Sequence, residues 1–457
     1  MYHARPAFLR RLRSALRADD SAPLVFLGNF EVERQWGWGE PGLPTFSTQA
    51  SDLVVNRMDE FTVTLGGPDD VVVLKENPDP AYLDYLTTLG WRPPRILVPG
   101  VNDPSRSVSD DALGDRSLLE ELSGLRDSGA VIVPHGVSVR EEQLAEATGL
   151  PLGTPGAAVC KAVNSKVYSR RLADELRLRQ PAGRWCDTLD RWKEAAEWAY
   201  DVVEGGGRVA VKDAYGVSGK GILQLATTSR IAQLTRMFTR RRDRTGDERL
   251  AVVVEEWVPK STDLNYQFTI SRDGGIELDF VKESLTRSGV HLGHLFPARL
   301  SGTQRQEVAD TAQRVGEALA ADGYFGVVGV DAMIDPDGGV YPIVEINARN
   351  NMSTYQESLW ELVGGPGRTA VAKHYAIQLD APLPFTKLRE GLGSALLGPG
   401  SEAGLLINNY ATVNSGLSAG GAGRLYGMLV GPDLATVEDT DHEIAAALAA
   451  WQKGGRR

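Results

Sequence analysis

The sequence predicts two architectures in tandem, a mostly parallel α/β segment followed by an α+β segment, with domains at 1–150, 151–382 and 383–457. Three observations carry this expectation. At 457 residues the chain exceeds what one ordinary core supports, so two to four domains are expected. In the first 150 residues, short β-branched runs end in Gly or Pro and precede helical stretches, the pattern of a small parallel sheet. Beyond about residue 160 the strands lengthen, alternate in character and are joined by tight turns, as in antiparallel sheet with helices.

The elements follow in order. "MYHARPAFLRRLRSALRADD" places Phe8, Leu9, Leu12 and Leu16 at helical spacing. An amphipathic first helix with a solvated basic face is expected there, and the Arg-rich composition also admits a transit peptide. "PLVFLGNF" reads as a strand running into a Gly turn. "VVVLKENPDPAYLDYLTTLGW" reads as strand, turn and helix. "RILVPG" and "GAVIVPHG" are further strands, the second followed by the helical "VREEQLAEATGL". No GxGxxG follows any of them, so dinucleotide binding has no support. "PLGTPGAAV" marks a boundary near residue 150. The helix in "NSKVYSRRLADELRLR" has a good cap in Asn164 or Ser165. Strands are then expected in "RVAVKDAYGVSGKGILQL", "AVVVEEWVPKSTDLNYQFTI", "GGIELDFVKESLT" and "FGVVGVDAMIDPDGGVYPIVEINAR", with a helix in "GTQRQEVADTAQRVGEALAADG". The tail adds the strands "GLLINNYA" and "GRLYGMLVG" and a last helix, "HEIAAALAAWQ", read as a small third domain.

Composition excludes several classes. Hydrophobic content of 42% with 24% charged residues is ordinary for a soluble globular chain. A net charge of −11 argues against nucleic acid held on a general basic surface. No apolar run approaches the ~20 residues that span a bilayer, so no membrane partner is expected. Cys160 and Cys186 stand outside any CxxC or Cys/His cluster, which fits a reducing cytoplasm and disfavours structural zinc. His3, His135 and His442 carry no pattern.

Three stretches carry chemistry. In "VKDAYGVSGKGI", Lys212 feeds a Gly-rich hairpin with Gly216, Ser218, Gly219 and Gly221. Glycines let backbone N–H groups wrap phosphate oxygens, though a hairpin without a ligand is the commoner use. In "VVVEEWVP", a strand ends in Glu255 and Glu256 and continues through Trp257 and Val258, with Asp263 further on. Such an end can frame adenine and ribose, and a strand ending at a charged surface looks the same. In "VYPIVEINARN", Glu345, Asn347 and Arg349 share one face at a period of two. Asp331 precedes Glu345 by fourteen residues across "DPDGG", so a hairpin sets the two acids opposite each other. Two carboxylates and an amide oxygen suit a hard cation such as Mg²⁺, and buried acids without such a partner are costly. "TRSGVHLGHLFPARL" offers Arg287 and Arg299 to a carboxylate and His291 and His294 to orient a substrate. A surface pair or a loop polar residue is the commoner use of each. The Gly-rich "NNYATVNSGLSAGGAGRLYG" reads as a cover for an acceptor site or as a plain hairpin.

Strand-Lys with Gly loop, then EEWV, then D…E-x-N-x-R, in that order, resembles the ATP-grasp ligases over roughly residues 150–380. The resemblance implies an ATP-grasp fold with an N-terminal Rossmann-like pre-grasp domain and a small C-terminal domain. It implies ATP and Mg²⁺ as cofactors. Lys166 and Lys212 would contact ATP, Gly216 to Gly221 would cover the phosphates, Glu255, Glu256, Trp257 and Val258 would frame adenine, and Asp263 would hold ribose. Asp331, Glu345 and Asn347 would bind Mg²⁺, and Arg349 would steady the transferred phosphoryl group. One departure stands out. The D-Ala–D-Ala ligase branch has an arginine two residues before its metal Asp, and here that position is Gly329, so Arg349, Lys282 or Arg299 would have to meet the charge. The implied activity joins a small carboxylic acid donor to the amine of a peptide or amino acid through an acyl phosphate, and within the family the layout is most similar to peptide ligases of natural-product biosynthesis. A dipeptide-forming ligase is the alternative, and the resemblance admits a homodimer. A kinase lacks support because the HRD…N and DFG elements are missing, a biotin-dependent carboxylase would use bicarbonate, and a non-catalytic nucleotide binder need not keep the E-x-N-x-R wall.

Overall fold

The computed structural model describes residues 7–16, 22–43, 49–216, 221–287, 290–417 and 420–454. The first helix, Ala7–Leu16, buries Phe8, Leu9, Leu12 and Leu16, the stripe its spacing predicts. Arg13 is buried with them because its guanidinium is bonded to Asp70 and the carbonyl of Ala22.

Strands β1 (Leu24–Leu27), β2 (Val71–Val73), β3 (Arg95–Leu97) and β4 (Val131–Pro134) form a parallel sheet in the order β3-β2-β1-β4. Both β1 and β4 are buried along their whole length, as continuous apolar runs in a covered parallel sheet should be. The 3₁₀ segment Arg57–Thr64 lies beside β1 and helix Thr354–Val363. The helix Val139–Thr148 opens with a Ser138/Glu141 capping box and stops at Gly149, at φ 69°.

Helix Lys166–Glu175 is capped by Ser165, which accepts from the amide of Val167. Strands β5 (Gly183–Thr188), β6 (Val209–Asp213), β7 (Ile222–Leu225) and β8 (Arg249–Glu256) make an antiparallel sheet, β5-β8-β6-β7. Helices Leu189–Glu204 and Thr228–Thr245 cover it through Trp192, Ile231 and Phe238.

The largest sheet joins β9 (Thr262–Ile270), β10 (Ile276–Arg287), β11 (Val290–Phe296), β12 (Gly326–Ile334), β13 (Val340–Asn347), β14 (Thr369–Ile377), β15 (Gly404–Asn409) and β16 (Gly423–Gly431) in the order β13-β12-β9-β10-β11-β14-β16-β15. Its pairings are antiparallel. Helix Gly302–Ala321 packs under β9, β10 and β13 through Val308, Val315 and Leu319. Each of those side chains contributes roughly 1.5–3 kcal/mol on burial.

The tail expected as a separate small domain at 383–457 is a continuation of this sheet. β16 pairs with β14 from Thr369–Gly431 to Ile377–Gly423, and β15 pairs with β16. One apolar core includes Phe26 and Phe61 from the N-terminal segment and Leu405, Met428 and Ile444 from the tail. Strands that bury one face against a neighbouring domain have no reason to build a core of their own. No described helix is long and apolar enough to cross a membrane.

Candidate active site

Strand register assembles the centre. Glu345 on β13 lies opposite Asp331 on β12, Asp331 opposite Asn265 on β9, and Asn265 opposite Lys282 on β10. Opposed residues share a face, so these four stand in one row across the sheet. The next row holds Asn347, Gly329 and Gln267. Asp331 accepts from Asn265 Nδ2 at 2.9 Å and Asn347 Nδ2 at 3.3 Å. Burial, and then the neighbouring Glu345 carboxylate, push its acid up to about 6. Glu345 Oε1 is 2.6 Å from Lys166 Nζ, which also donates to the carbonyl of Gly216 at 2.6 Å. Asp331, Glu345 and Asn347, expected as metal ligands, are brought together, with Asn347 turning its Nδ2 to Asp331 and its Oδ1 to Arg349. Among the described residues no group of three or more His, Cys, Asp or Glu stands ready for a metal. A cation here would need a phosphate-bearing ligand to complete its shell, and the two apposed acids fit that requirement.

Of the residues expected to contact ATP, Lys166, Lys212 and Glu255 line a narrow neighbouring cavity of about 10 Å³ that Arg170, Val253 and Ile343 also bound. Lys212 pairs with Glu255, and Arg170 Nη1 lies 3.9 Å from the same carboxylate. Arg170, absent from the sequence expectations, donates to the carbonyl of Pro181 at 2.6 Å, while its buried Nε makes no hydrogen bond and lies 4.0 Å from Asp174 Oδ2. It is one helical turn after Lys166, a spacing that puts both on one face. The amides of Glu256 and Trp257 go to the carbonyls of Ala182 and Arg208, at 2.7 and 2.8 Å. Val258 is half-buried just beyond the end of β8. Asp263 is paired with Lys260 and Thr286 at the start of β9. In the hairpin, Asp213 N donates to Gly221 O at 2.8 Å, and Gly221 adopts φ 88°, a conformation glycine tolerates. Ser218 and Gly219 lie outside the described residues.

Arg349 is held from both domains. Its Nη2 donates to Asn347 Oδ1 at 2.9 Å and sits 3.0 Å from Glu33 Oε1, on helix Val32–Trp36. His135, just past β4, places Nε2 3.0 Å from the same Glu33 oxygen and Nδ1 2.8 Å from the hydroxyl of Tyr355. Burial lowers the His135 pKa, so the neutral ring donates from Nε2 to Glu33 and accepts the Tyr355 hydroxyl at Nδ1. Burial would raise the acid of Glu33, but Arg349, the His135 hydrogen bond and Lys166 outweigh it and hold it down at about 2. His135 is thus part of the centre, although nothing in its local sequence marks it. Glu33 and Tyr355 were equally invisible, because both are defined by contacts across domains.

The remaining candidates are placed differently. Lys282 is buried, donates to the carbonyl of Ser353 at 3.0 Å, and pairs with Glu357 at 3.1 Å. The rings of Phe280 and Phe296 lie 4.0 and 4.6 Å from its ammonium, and burial lowers its pKa. Arg299 is exposed and makes a two-pronged pair with Glu283, at 2.9 and 2.7 Å. Glu283 follows Lys282 on β10, so it points to the opposite face, and Arg299 is not brought to the row. His294 is buried near Gln356, 3.5 Å away, on the same face as the row. The side chains of Arg287 and His291, at the β10–β11 turn, fall outside the described set.

A parallel-sheet domain joined to a small antiparallel sheet and a large one, with a Lys/Glu cavity between the two antiparallel sheets, is the ATP-grasp fold. A family model described as the pre ATP-grasp domain matches residues 58–150. The chain is 27% identical over 318 residues to the [butirosin acyl-carrier protein]–L-glutamate ligase of Niallia circulans, covering 68% of each sequence. It is similar in fold to N5-carboxyaminoimidazole ribonucleotide synthetase solved with ADP, at 13% identity, TM-score 0.53, 95% of this chain and 98% of that one. It is also similar to biotin carboxylase of Campylobacter jejuni, at 13% identity, TM-score 0.50, 91% of this chain and 88% of that one.

Proposed function

We propose that this protein is an ATP- and Mg²⁺-dependent carboxylate–amine ligase that joins a small acid to the amine of a peptide through an acyl phosphate. The observation that carries the reading is the row Glu345–Asp331 with Asn347 and Arg349 beside it, facing Lys166 and adjoining the Lys212–Glu255 cavity. Mg²⁺, held by Asp331, Glu345 and Asn347, would neutralise phosphate charge. Lys166 and Lys212 would hold phosphate oxygens. Arg349, fixed by Glu33 and Asn347, would present its remaining N–H groups to the transferred phosphoryl without reorganising. A carboxylate oxygen bonds to the γ-phosphorus as ADP departs, then the amine nitrogen bonds to the acyl carbon as phosphate departs. No protein nucleophile is needed.

The layout and tail resemble the peptide ligase of pheganomycin biosynthesis, which favours a peptide acceptor and natural-product biosynthesis. A carrier-protein substrate is the second reading, favoured by the butirosin relative, which acts on an acyl-carrier protein. Phosphate release across pools of acids with amino acids, di- and tripeptides or carrier protein, with mass spectrometry of the product, tests these readings. AMP and pyrophosphate as products would sink the acyl-phosphate chemistry. Amides of single amino acids alone would replace the peptide acceptor with a dipeptide-forming reaction.

A further inference from the structure

The position two residues before Asp331 is Gly329, and the structure fills the space above it. A Cβ built on Gly329 would lie 2.2 Å from Asn351 Nδ2. No side chain, and no arginine, fits there while Asn351 stays. Gly329 lies opposite both Asn347 and Gln267, so this amide nitrogen rests on the row beside the two acids.

Asn351 is 7% exposed, and its Nδ2 has no hydrogen-bond partner. The orientation of the amide is determined by its other end. Oδ1 accepts from the backbone amides of Ser353 at 3.0 Å and Thr354 at 3.3 Å, where helix Thr354–Val363 begins. Those donors require an oxygen, so the nitrogen must face Gly329. The backbone of Asn351 is pinned too, its N–H donating to Thr354 Oγ1 at 3.0 Å. A buried amide nitrogen with two unmet donors is costly unless something accepts them.

We propose that Asn351 is a catalytic residue of the phosphoryl-transfer step, its Nδ2 donating to an oxygen of the transferred phosphoryl group in place of the side chain Gly329 lacks. The inference rests on the ligase reading above and adds a donor to it. A neutral amide supplies two fixed donors over Gly329, opposite Asn347, without adding a cation that would compete with the metal for Asp331 and Glu345. The chemistry is that of a preorganised donor aimed where negative charge sits.

The competing role is a simple turn-forming residue at the helix start, and two substitutions separate them. Asn351→Asp and Asn351→Ser keep an oxygen acceptor for Ser353 and Thr354 but remove the amide donors. Calorimetry with Mg²⁺ compares ADP with a non-hydrolysable ATP analogue, alongside unfolding midpoints and phosphate release. The expected result is wild-type ADP affinity and an unchanged midpoint for Asn351→Ser, with analogue affinity weakened about tenfold. Turnover falls about a hundredfold in the same variant. Asn351→Asp, which adds a negative charge, weakens analogue binding further. Variants that keep the wild-type preference for the analogue over ADP, or that lose only thermal stability, would overturn the proposal. Wild-type protein that binds both nucleotides yet forms no amide would sink the ligation reading while the affinity ratio still decides Asn351. Wild-type protein that binds neither nucleotide would overturn both.

Discussion

Lys282→Met tests whether the fourth member of the row serves chemistry or architecture. The ammonium is 1% exposed and touches Glu357, the Ser353 carbonyl and two aromatic rings. Removing it strands Glu357, itself only 9% exposed on its side chain, without its counter-ion. Breaking a buried pair in this way costs roughly 3–5 kcal/mol. The reverse change, Glu357→Gln, costs less, because the amide oxygen still accepts from the ammonium and the Ser353 carbonyl stays in place, while burial already lowers the Lys282 pKa. Removing both charges together leaves an apolar and an amide group, a change of about 1 kcal/mol or less. Urea unfolding of the four proteins at pH 7 measures this cycle. The double variant should recover most of the stability lost by Lys282→Met and should still bind ADP. A double variant no more stable than the sum of the two single losses would refute the pairing. A stable double variant with wild-type nucleotide binding and no turnover would instead place Lys282 in the reaction.

Glu345→Gln removes a charge from the row and frees Lys166 but leaves the Lys212–Glu255 pair in place, so Mg²⁺-dependent turnover should drop at least about a hundredfold with ADP affinity retained; wild-type rates at low Mg²⁺ would remove Glu345 from the metal. Glu60 is buried and accepts from the amides of Tyr410 and Ala411, and burial raises its acid to about 7. A raised folded pKa means stability present below about 4.5 and lost as pH rises through about 7, worth roughly 3 kcal/mol at most. Glu60→Gln should therefore flatten the fall in unfolding free energy between pH 5 and 8, and an unchanged slope would show that Glu60 is ionised throughout. Arg299→Ala should leave the KM for the acid unchanged, because its guanidinium is engaged by Glu283 on the far face of the sheet; a raised KM would return it to the donor site.

Periodicity in the sequence was enough to place Glu345 and Asn347 on one face and Asp331 across a hairpin from them, whereas Arg349 lies past the end of β13 with its N–H turned back to the Asn347 carbonyl at 2.8 Å. Those relations are local, set by the two-residue repeat of a strand and a short turn, so they survive without knowledge of the rest of the chain. The order of the Lys, Glu and acid-bearing strands likewise announced the fold. Tertiary structure decided what stands around them. Glu33, itself bonded to His135, reaches Arg349 from the N-terminal segment, Lys166 reaches Glu345 from a helix 179 residues away, and Asn351 occupies the space above Gly329. It also joined the tail to the central sheet and turned Arg299 away from the row. Contacts of this kind depend on which faces the packed domains bring together, and no spacing along one strand encodes the side chain that arrives from another.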